Sequence, residues 1–540
     1  MKQLSHNGVL VSEYEAKGFH ILVKGKKLLL TPQQAEMAVA WVKKLGTPYV
    51  EDNVFKSNFF EDFGKALDAK VTAEDVDFSE IIKVVERERS EKLNMTAEEK
   101  KKIAEERKKL REANREKYGF VVVDGEKVEV SNYVVEPSSI FMGRGKHPLR
   151  GKWKEGSKKN DIILNLSPDS KIPEGKWKKI VWEKDCMWTA KWDDKLRGKE
   201  KYVWLSDTSP IKQEREMEKF DKAIVLAKEY EKIKKHIVDN LAAEDVKRRK
   251  IATVAYLIDA LSMRVGDEKD EDEADTVGAT TLTRNNIFIK PNNVVKFDFL
   301  GKDSVRWEKE ITLPEQVVKN LKEFIANSDV IFDGVRSENV KLFLNEVIPG
   351  LTSKVFRTFH ASKAVDEYLK KVQAAREDND ENKKYFATLA NLQAAVVCNH
   401  KRTLPKSWDA SLQNKIERLK QLKERIEAKR KKSILTLEEK IKKLESSKLT
   451  EKRKIVLKGY KNKLNDLKKN KMSEKEMQSV KKAEMRIQLM KETKDYNLNT
   501  SLKSYVDPRV YWRWCNKVGF DWKKYYSKTL QRKFSWVEKK

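Results

Sequence analysis

Five side chains spread along this sequence are of types suited to phosphoryl chemistry. They are Arg264 in LSMRVGDEK, Lys302 in FDFLGKDSVRW, Arg357 in GLTSKVFRTFHAS, His400 in ANLQAAVVCNH and Tyr505 in TSLKSYVDPRV. A tyrosine oxygen attacking a phosphodiester creates a five-coordinate phosphorus with extra negative charge on its oxygens. Two guanidiniums and an imidazole are donors able to share that charge, and a lysine on a turn could protonate the leaving oxygen.

Taken singly, most of these residues have plainer readings. Arg264 follows the apolar positions Ile251, Val254, Ile258 and Leu261 of a predicted helix that stops at Gly266, where a cation answers the helix dipole or joins a surface ion pair. Lys302 reads as a solvated lysine in a hairpin turn, and His400 as a helix C-terminal cap. Tyr505, in a short polar run, reads as a surface aromatic. Arg357 differs: close after the start of a predicted helix, between Phe356 and Phe359, it opposes the helix dipole, so an anion is expected to repay its position. Asp507 as N-cap and Pro508 as first helical residue would put Tyr505 two residues before a helix N-terminus, where phosphate is favoured.

The elements that must position these residues fall into several units, since 540 residues exceed what one core holds. Residues 1–209 mix strand-like runs (HILVKGKKLLL, YGFVVVDGEKVEV, DIILNL, KIVWEKDCMWTAKW) with one charged helical stretch over about 84–117, an α+β pattern. Residues 210–402 are mostly helical, with a hairpin predicted at 294–312 around Gly301, Lys302 and Asp303. Between 411 and 490, Leu412, Ile416, Leu419, Leu422 and Ile426, then Leu457, Tyr460, Leu464 and Leu467, recur at three- and four-residue steps. That is a coiled-coil seam, expected as a protruding antiparallel hairpin with room for a further break near SSKLTEKRK and Gly459. The window carries 26 Lys and Arg against 11 Asp and Glu, half of the net +30 of the whole chain. Residues 495–540 return to an aromatic-rich globular pattern that Tyr505 opens.

A surplus of 30 positive charges predicts a polyanionic partner, nucleic acid before membrane. No apolar run has the length of a membrane span, and the first residues lack a signal-peptide core, so an intracellular protein is expected. Cys186, Cys398 and Cys515 form no CxxC pair, the six histidines form no HExxH, and no GxxxxGK[ST] occurs, which argues against a disulfide frame, a zinc centre and a P-loop ATPase. The acidic run GDEKDEDEAD at 266–275 reads as a solvated loop rather than a metal site.

In collinear order, VFKSNFFEDF, EPSSIFMGRGKHP, ADTVGATTL, FDFLGKDS, the coiled-coil segment, TSLKSYVDPR and SKTLQRKFSW resemble the eukaryotic type IB DNA topoisomerases over nearly the full length. The resemblance implies Tyr505 as nucleophile, Arg264, Arg357 and His400 as transition-state donors and Lys302 as general acid, with Arg144, Lys146, His147 and Asp303 touching DNA. It also implies a bilobed clamp on duplex, preferentially supercoiled, DNA: a cap over 1–209, a tyrosine-recombinase-like catalytic lobe over 210–402, a basic coiled-coil linker over 403–494 and a C-terminal domain over 495–540. Such an enzyme works as a monomer, without ATP or metal. A tyrosine recombinase is the rival with the same chemistry, but recombinases join the histidine and tyrosine segments briefly. A non-enzymatic basic coiled-coil protein that binds nucleic acid is the rival from another class. Two departures stand out. Members usually carry a long charged N-terminal tail with import signals, whereas this chain begins almost at the core; the nucleus is expected, with the cytoplasm or a viral factory as alternatives. The residue before the tyrosine is commonly Asn and here is Ser504, beside the place where the drug camptothecin wedges in this family.

Overall fold

The computed structural model describes residues 1–15, 17–143, 147–267, 277–301, 305–405, 407–446, 450–469 and 472–539. Among these the chain is α+β, with helices and five small sheets. The N-terminal strand Leu4–His6 pairs antiparallel with Phe120–Val123, which continues into Glu126–Glu129, so the first residues are pinned to a hairpin more than a hundred positions away. A second sheet orders Lys179–Val181, Ile163–Asn165, Trp188–Asp193 and Glu200–Trp204. On the helix Asn53–Ala66, Phe55, Phe59 and Phe63 recur every fourth residue, share one face and are fully buried. The single charged helix expected over 84–117 is instead two, Ser79–Asn94 and Ala97–Tyr118. The break lies at Met95 and Thr96, where Thr96 and Glu99 form a reciprocal capping box that starts the second helix afresh.

The middle of the chain builds a helical core around a three-stranded meander of Ile287–Ile289, Val294–Gly301 and Val305–Thr312. The register pairs Gly301 with Val305, and Val295, Phe297, Phe299 and Trp307 are buried as the alternation predicts. The expected turn residues Lys302 and Asp303 lie outside the described residues. The helix Val246–Leu261 ends earlier than the sequence suggested: Ser262, not Gly266, is its cap, in the left-handed region at φ 52°. Gly266 answers a different need, because a Cβ there would stand 2.9 Å from the Gly278 main chain.

The basic segment is an antiparallel arm of three helices, and its further break falls between Lys468 and Glu474 rather than near Gly459. Trp408–Glu445 runs out, and Glu451–Lys468 followed by Glu474–Glu492 returns beside it. Cross-pairs Lys461–Glu445, Lys468–Glu438 and Lys423–Glu484 fix the antiparallel direction. The seam residues foreseen from the sequence are mostly half-buried; those fully covered are Leu437, Ile441, Val480 and Ile487. At its base the arm is clasped. Lys401 bridges Tyr496, the Arg402 N–H donates to the Asp495 carbonyl at 2.9 Å, and the Asn497 N–H donates to the His400 carbonyl at 2.7 Å.

Beyond the clasp, the short polar run is a helix, Leu498–Ser504, followed by Pro508–Val518. The last segment does not stand apart. Tyr511, Trp514, Phe534 and Trp536 share one core with Phe220, Ala361, Val365, Ala387 and Ala390 of the middle region.

Candidate active site

Arg357 occupies the second turn of the helix Ser353–Lys371 and is 5% exposed. Its Nη1 donates to the Ser262 carbonyl at 2.6 Å and its Nη2 to the Cys398 carbonyl at 3.0 Å. These carbonyls belong to the cap residues that end the helices Val246–Leu261 and Asp380–Val397. Helix C-termini leave carbonyls unpaired and carry the negative end of the dipole. The anion expected to repay this arginine is therefore replaced, in the free protein, by two helix ends. Its buried Nε has no hydrogen-bond partner among the described residues.

His400 follows the helix Asp380–Val397, its N–H donating to the Ala395 carbonyl at 2.8 Å after Asn399 has turned at φ 51°. Its Nδ1 lies 2.7 Å from Ser501 Oγ and its Nε2 lies 3.3 Å from Arg357 Nη2. A guanidinium can only donate, so Nε2 accepts and the imidazole proton sits on Nδ1, given to Ser501. Burial, then the Arg357 and Arg264 charges, push the His400 pKa down to about 3, in keeping with a neutral ring. At Nε2 the ring expected as a donor is thus an acceptor, and it can donate there only after gaining a proton.

Tyr505 caps the helix Leu498–Ser504, and Asp507 and Pro508 open the next one as the sequence suggested, with Asp507 accepting from the Arg509 N–H. The Arg357 guanidinium lies over the Tyr505 ring, 4.9 Å from its centroid, and the His400 ring is also 4.9 Å away, tilted. Arg264, two residues past the Ser262 cap, faces the same group. Desolvation in the cleft lowers its pKa from the ordinary value, the Tyr505 hydroxyl opposes that shift and the Arg357 charge reinforces it. Four of the five chemistry-bearing residues therefore meet in one place. Lys302 lies outside the described residues, as do Asp303, Arg144 and Lys146.

Three of these groups, Arg264, Arg357 and Tyr505, border a cavity of about 1260 Å³. Arg264, Arg357, Ser504 and Tyr505 line one side, and Phe141, Gly143, His147 and Arg197 from the first two hundred residues line the other. His147 is buried, accepts at Nδ1 from the Leu149 N–H at 3.1 Å and meets Phe141 edge to face. Sequence reasoning missed Ser501, whose hydroxyl receives the His400 Nδ1 proton. It lies four residues before Tyr505, a spacing that would have pointed to it had TSLKS been read as helical. It also missed Lys219 and Ser362, considered below, which carry no local signal. Among the described residues no cluster of His, Cys, Asp or Glu could hold a metal ion, and no helix is long and apolar enough to cross a membrane.

Three family models match successive segments of the chain. Residues 1–205 match the family model described as the DNA binding fragment of eukaryotic DNA topoisomerase I, 208–433 match its catalytic core, and 477–540 match the C-terminal topoisomerase domain. DNA topoisomerase 1 alpha of Arabidopsis thaliana is 36% identical over 99% of this chain. The rat and human proteins named DNA topoisomerase 1 are 34% and 33% identical, again over 99% of this chain. The chain spans 58% of the length of the Arabidopsis alpha and beta proteins and 70% of the rat and human ones.

Proposed function

Because this chain belongs to the eukaryotic DNA topoisomerase I family, we propose that it relaxes positive and negative supercoils by cutting and resealing one strand of duplex DNA. The Tyr505 oxygen attacks the scissile phosphorus, the bond from phosphorus to the 5′ oxygen breaks, and a 3′-phosphotyrosine holds the end while the other end rotates. Arg264 and Arg357 receive the charge that builds on the phosphoryl oxygens, and His400 joins them once the anion draws Arg357 away and Nε2 takes up a proton, which the anion's charge favours. Lys302 gives its proton to the departing 5′ oxygen. Religation reverses each step, so the energy of the broken ester is kept in the new one and neither ATP nor a metal is required.

The observation that supports this reading most is the convergence of Tyr505 with Arg357, His400 and Arg264 from separate segments of the chain. A recombinase would use the same groups, and the basic arm between His400 and Tyr505 favours the topoisomerase over it. In this reading residues 1–209 form the cap of a clamp and 210–402 with 495–540 its catalytic side. Residues 403–494 form the linker, and Arg144, Lys146, His147 and Asp303 contact DNA. The protein acts as a monomer in the nucleus.

The test is plasmid relaxation in EDTA without ATP, with Tyr505→Phe as control. Relaxation by the natural protein and none by the variant is expected; equal activity of the two would sink the assignment. Lys302→Ala should recover on a substrate whose 5′ bridging atom is sulfur, which leaves without a proton. If it does not recover, Lys302 is no general acid.

A further inference from the structure

Three consecutive carbonyls lead through the turn that carries Tyr505, and each is received by a side chain from a different helix. The Lys503 carbonyl accepts from Lys533 Nζ at 3.1 Å, the Ser504 carbonyl from Lys219 Nζ at 3.0 Å, and the Tyr505 carbonyl from Ser362 Oγ at 3.3 Å. Ser362 Oγ in turn accepts from the Asp507 N–H at 2.9 Å, so one hydroxyl spans the residues on both sides of Val506. Lys219 belongs to the helix Pro210–Lys228, Ser362 to Ser353–Lys371 and Lys533 to Lys528–Lys533. The last carbonyls of a helix have no partner within it and concentrate the negative end of its dipole, which is where ammonium groups bind best.

The charges around this turn do not balance as a plain ion-pair cluster would. Glu216 Oε1 lies 2.6 Å from Lys219 Nζ and 2.9 Å from Lys533 Nζ, a single carboxylate shared by two ammoniums. Asp207 is at the edge, 3.9 Å from Lys533 and 3.4 Å from Lys503. Desolvation lowers the Lys219 pKa from its ordinary value and Glu216 opposes that, and the Lys533 side chain is 8% exposed. Enclosing a cation is costly unless its donors are used. Here the donors left over from Glu216 are spent on the carbonyls of Lys503 and Ser504. Lys219 also borders the cavity that Tyr505 lines.

We propose that Lys219 and Lys533, tied together through Glu216, and Ser362 are positioning residues that hold the main chain of Tyr505 so that its hydroxyl meets the scissile phosphorus. This rests on the reading of Tyr505 as the nucleophile. The experiment is single-turnover cleavage of a suicide duplex by Lys219→Met, Ser362→Ala and Ser362→Thr in the full chain, beside DNA Kd and Tm for each. Misplacing a reacting atom by about 1 Å costs on the order of 100-fold in rate. The Met and Ala variants should therefore cleave about 10- to 100-fold slower with Kd and Tm near those of the natural protein, and Ser362→Thr, which keeps the hydroxyl, should regain most of the Ser362→Ala loss. Unchanged cleavage, or cleavage that falls only in step with Kd or Tm, would overturn the proposal. Tyr505→Phe is run alongside: if it still cleaves, the assignment of the nucleophile fails, whereas a dead Tyr505→Phe beside a fully active Lys219→Met removes the cradle alone.

Discussion

The cleft around Tyr505 and the arm between His400 and Tyr505 are both rich in cations and use them in opposite ways. In the cleft, Arg357 is buried and spends its donors on main-chain carbonyls at two helix ends, with no carboxylate partner among the described residues. In the arm, lysines meet glutamates across the helices in pairs that stay about half exposed, such as Lys423–Glu484 at 2.8 Å and Lys468–Glu438 at 2.7 Å. Exposed pairs of that kind contribute about 0–1 kcal/mol each and weaken with salt. Arm cations therefore remain available to a diffuse polyanion, while cleft cations are aimed at one place. The same residue types provide a field in one region and a geometry in the other.

Breaking the geometry should matter most. Tyr505→Phe is expected to abolish strand cleavage and leave DNA binding nearly intact, measured by covalent-complex trapping and by Kd. Arg357→Ala removes a donor fixed by two helix ends, and loss of one such donor typically costs about 10²–10³ in rate. Cleavage should fall in that range at every salt concentration, and a loss that varied steeply with salt would move Arg357 into the class of the arm.

His400 sharpens the comparison through pH. Its folded pKa is brought to about 3 by burial and then by the two guanidiniums, so between that value and about 6.5 the unfolded chain binds the proton and the folded one does not. Stability is retained above about pH 6.5 and lost as pH falls; at pH 5 the loss amounts to about 2 kcal/mol. His400→Gln, which does not titrate, should lose correspondingly less Tm between pH 7 and pH 5 than the natural protein.

Smaller effects are expected at Ser504 and in the arm. Ser504 lines the cavity beside the tyrosine. Restoring the amide with Ser504→Asn should strengthen camptothecin-stabilised cleavage by up to about tenfold, the worth of one neutral hydrogen bond of about 0.5–1.5 kcal/mol, with the relaxation rate unchanged. Equal drug response of the two proteins would show that the side chain at 504 does not set it. Neutralising one arm lysine that contacts a phosphate should lower the salt slope of binding by about 0.9, or about 3.5-fold in affinity over a fourfold change in salt. An unchanged slope for every arm lysine would mean that these charges only keep the arm in water.

What the sequence made legible was what local chemistry decides. Asp507 and Pro508 mark a helix start wherever they stand, and the alternation of Val295, Phe297 and Phe299 forces a strand. The five chemical residues could be named because their types and order suffice for a resemblance. Their support could not. The partners of Arg357 are carbonyls of Ser262 and Cys398, 95 and 41 positions away, and a carbonyl looks alike in every residue. The two-turn helix before Tyr505 escaped notice because propensity does not sustain seven residues; Lys219, Lys533 and the His400–Ser501 contact hold it. The place of the arm's further break was hidden for a similar reason, since Val480 and Ile487 are too few to announce a separate seam.

The clasp at the base of the arm turns it into a lever. Its outgoing helix has 38 residues, about 57 Å at the rise of an α-helix, and both ends of the arm leave through residues 400–402 and 495–497. A sideways load on the tip acts over that length against a fulcrum made of a few main-chain hydrogen bonds. One of these, donated by the Asn497 N–H to the His400 carbonyl, ties His400 itself to the residue that caps the Tyr505 helix. A force applied far from the cleft is thereby multiplied at the main-chain bonds beside the two rings that face each other inside it.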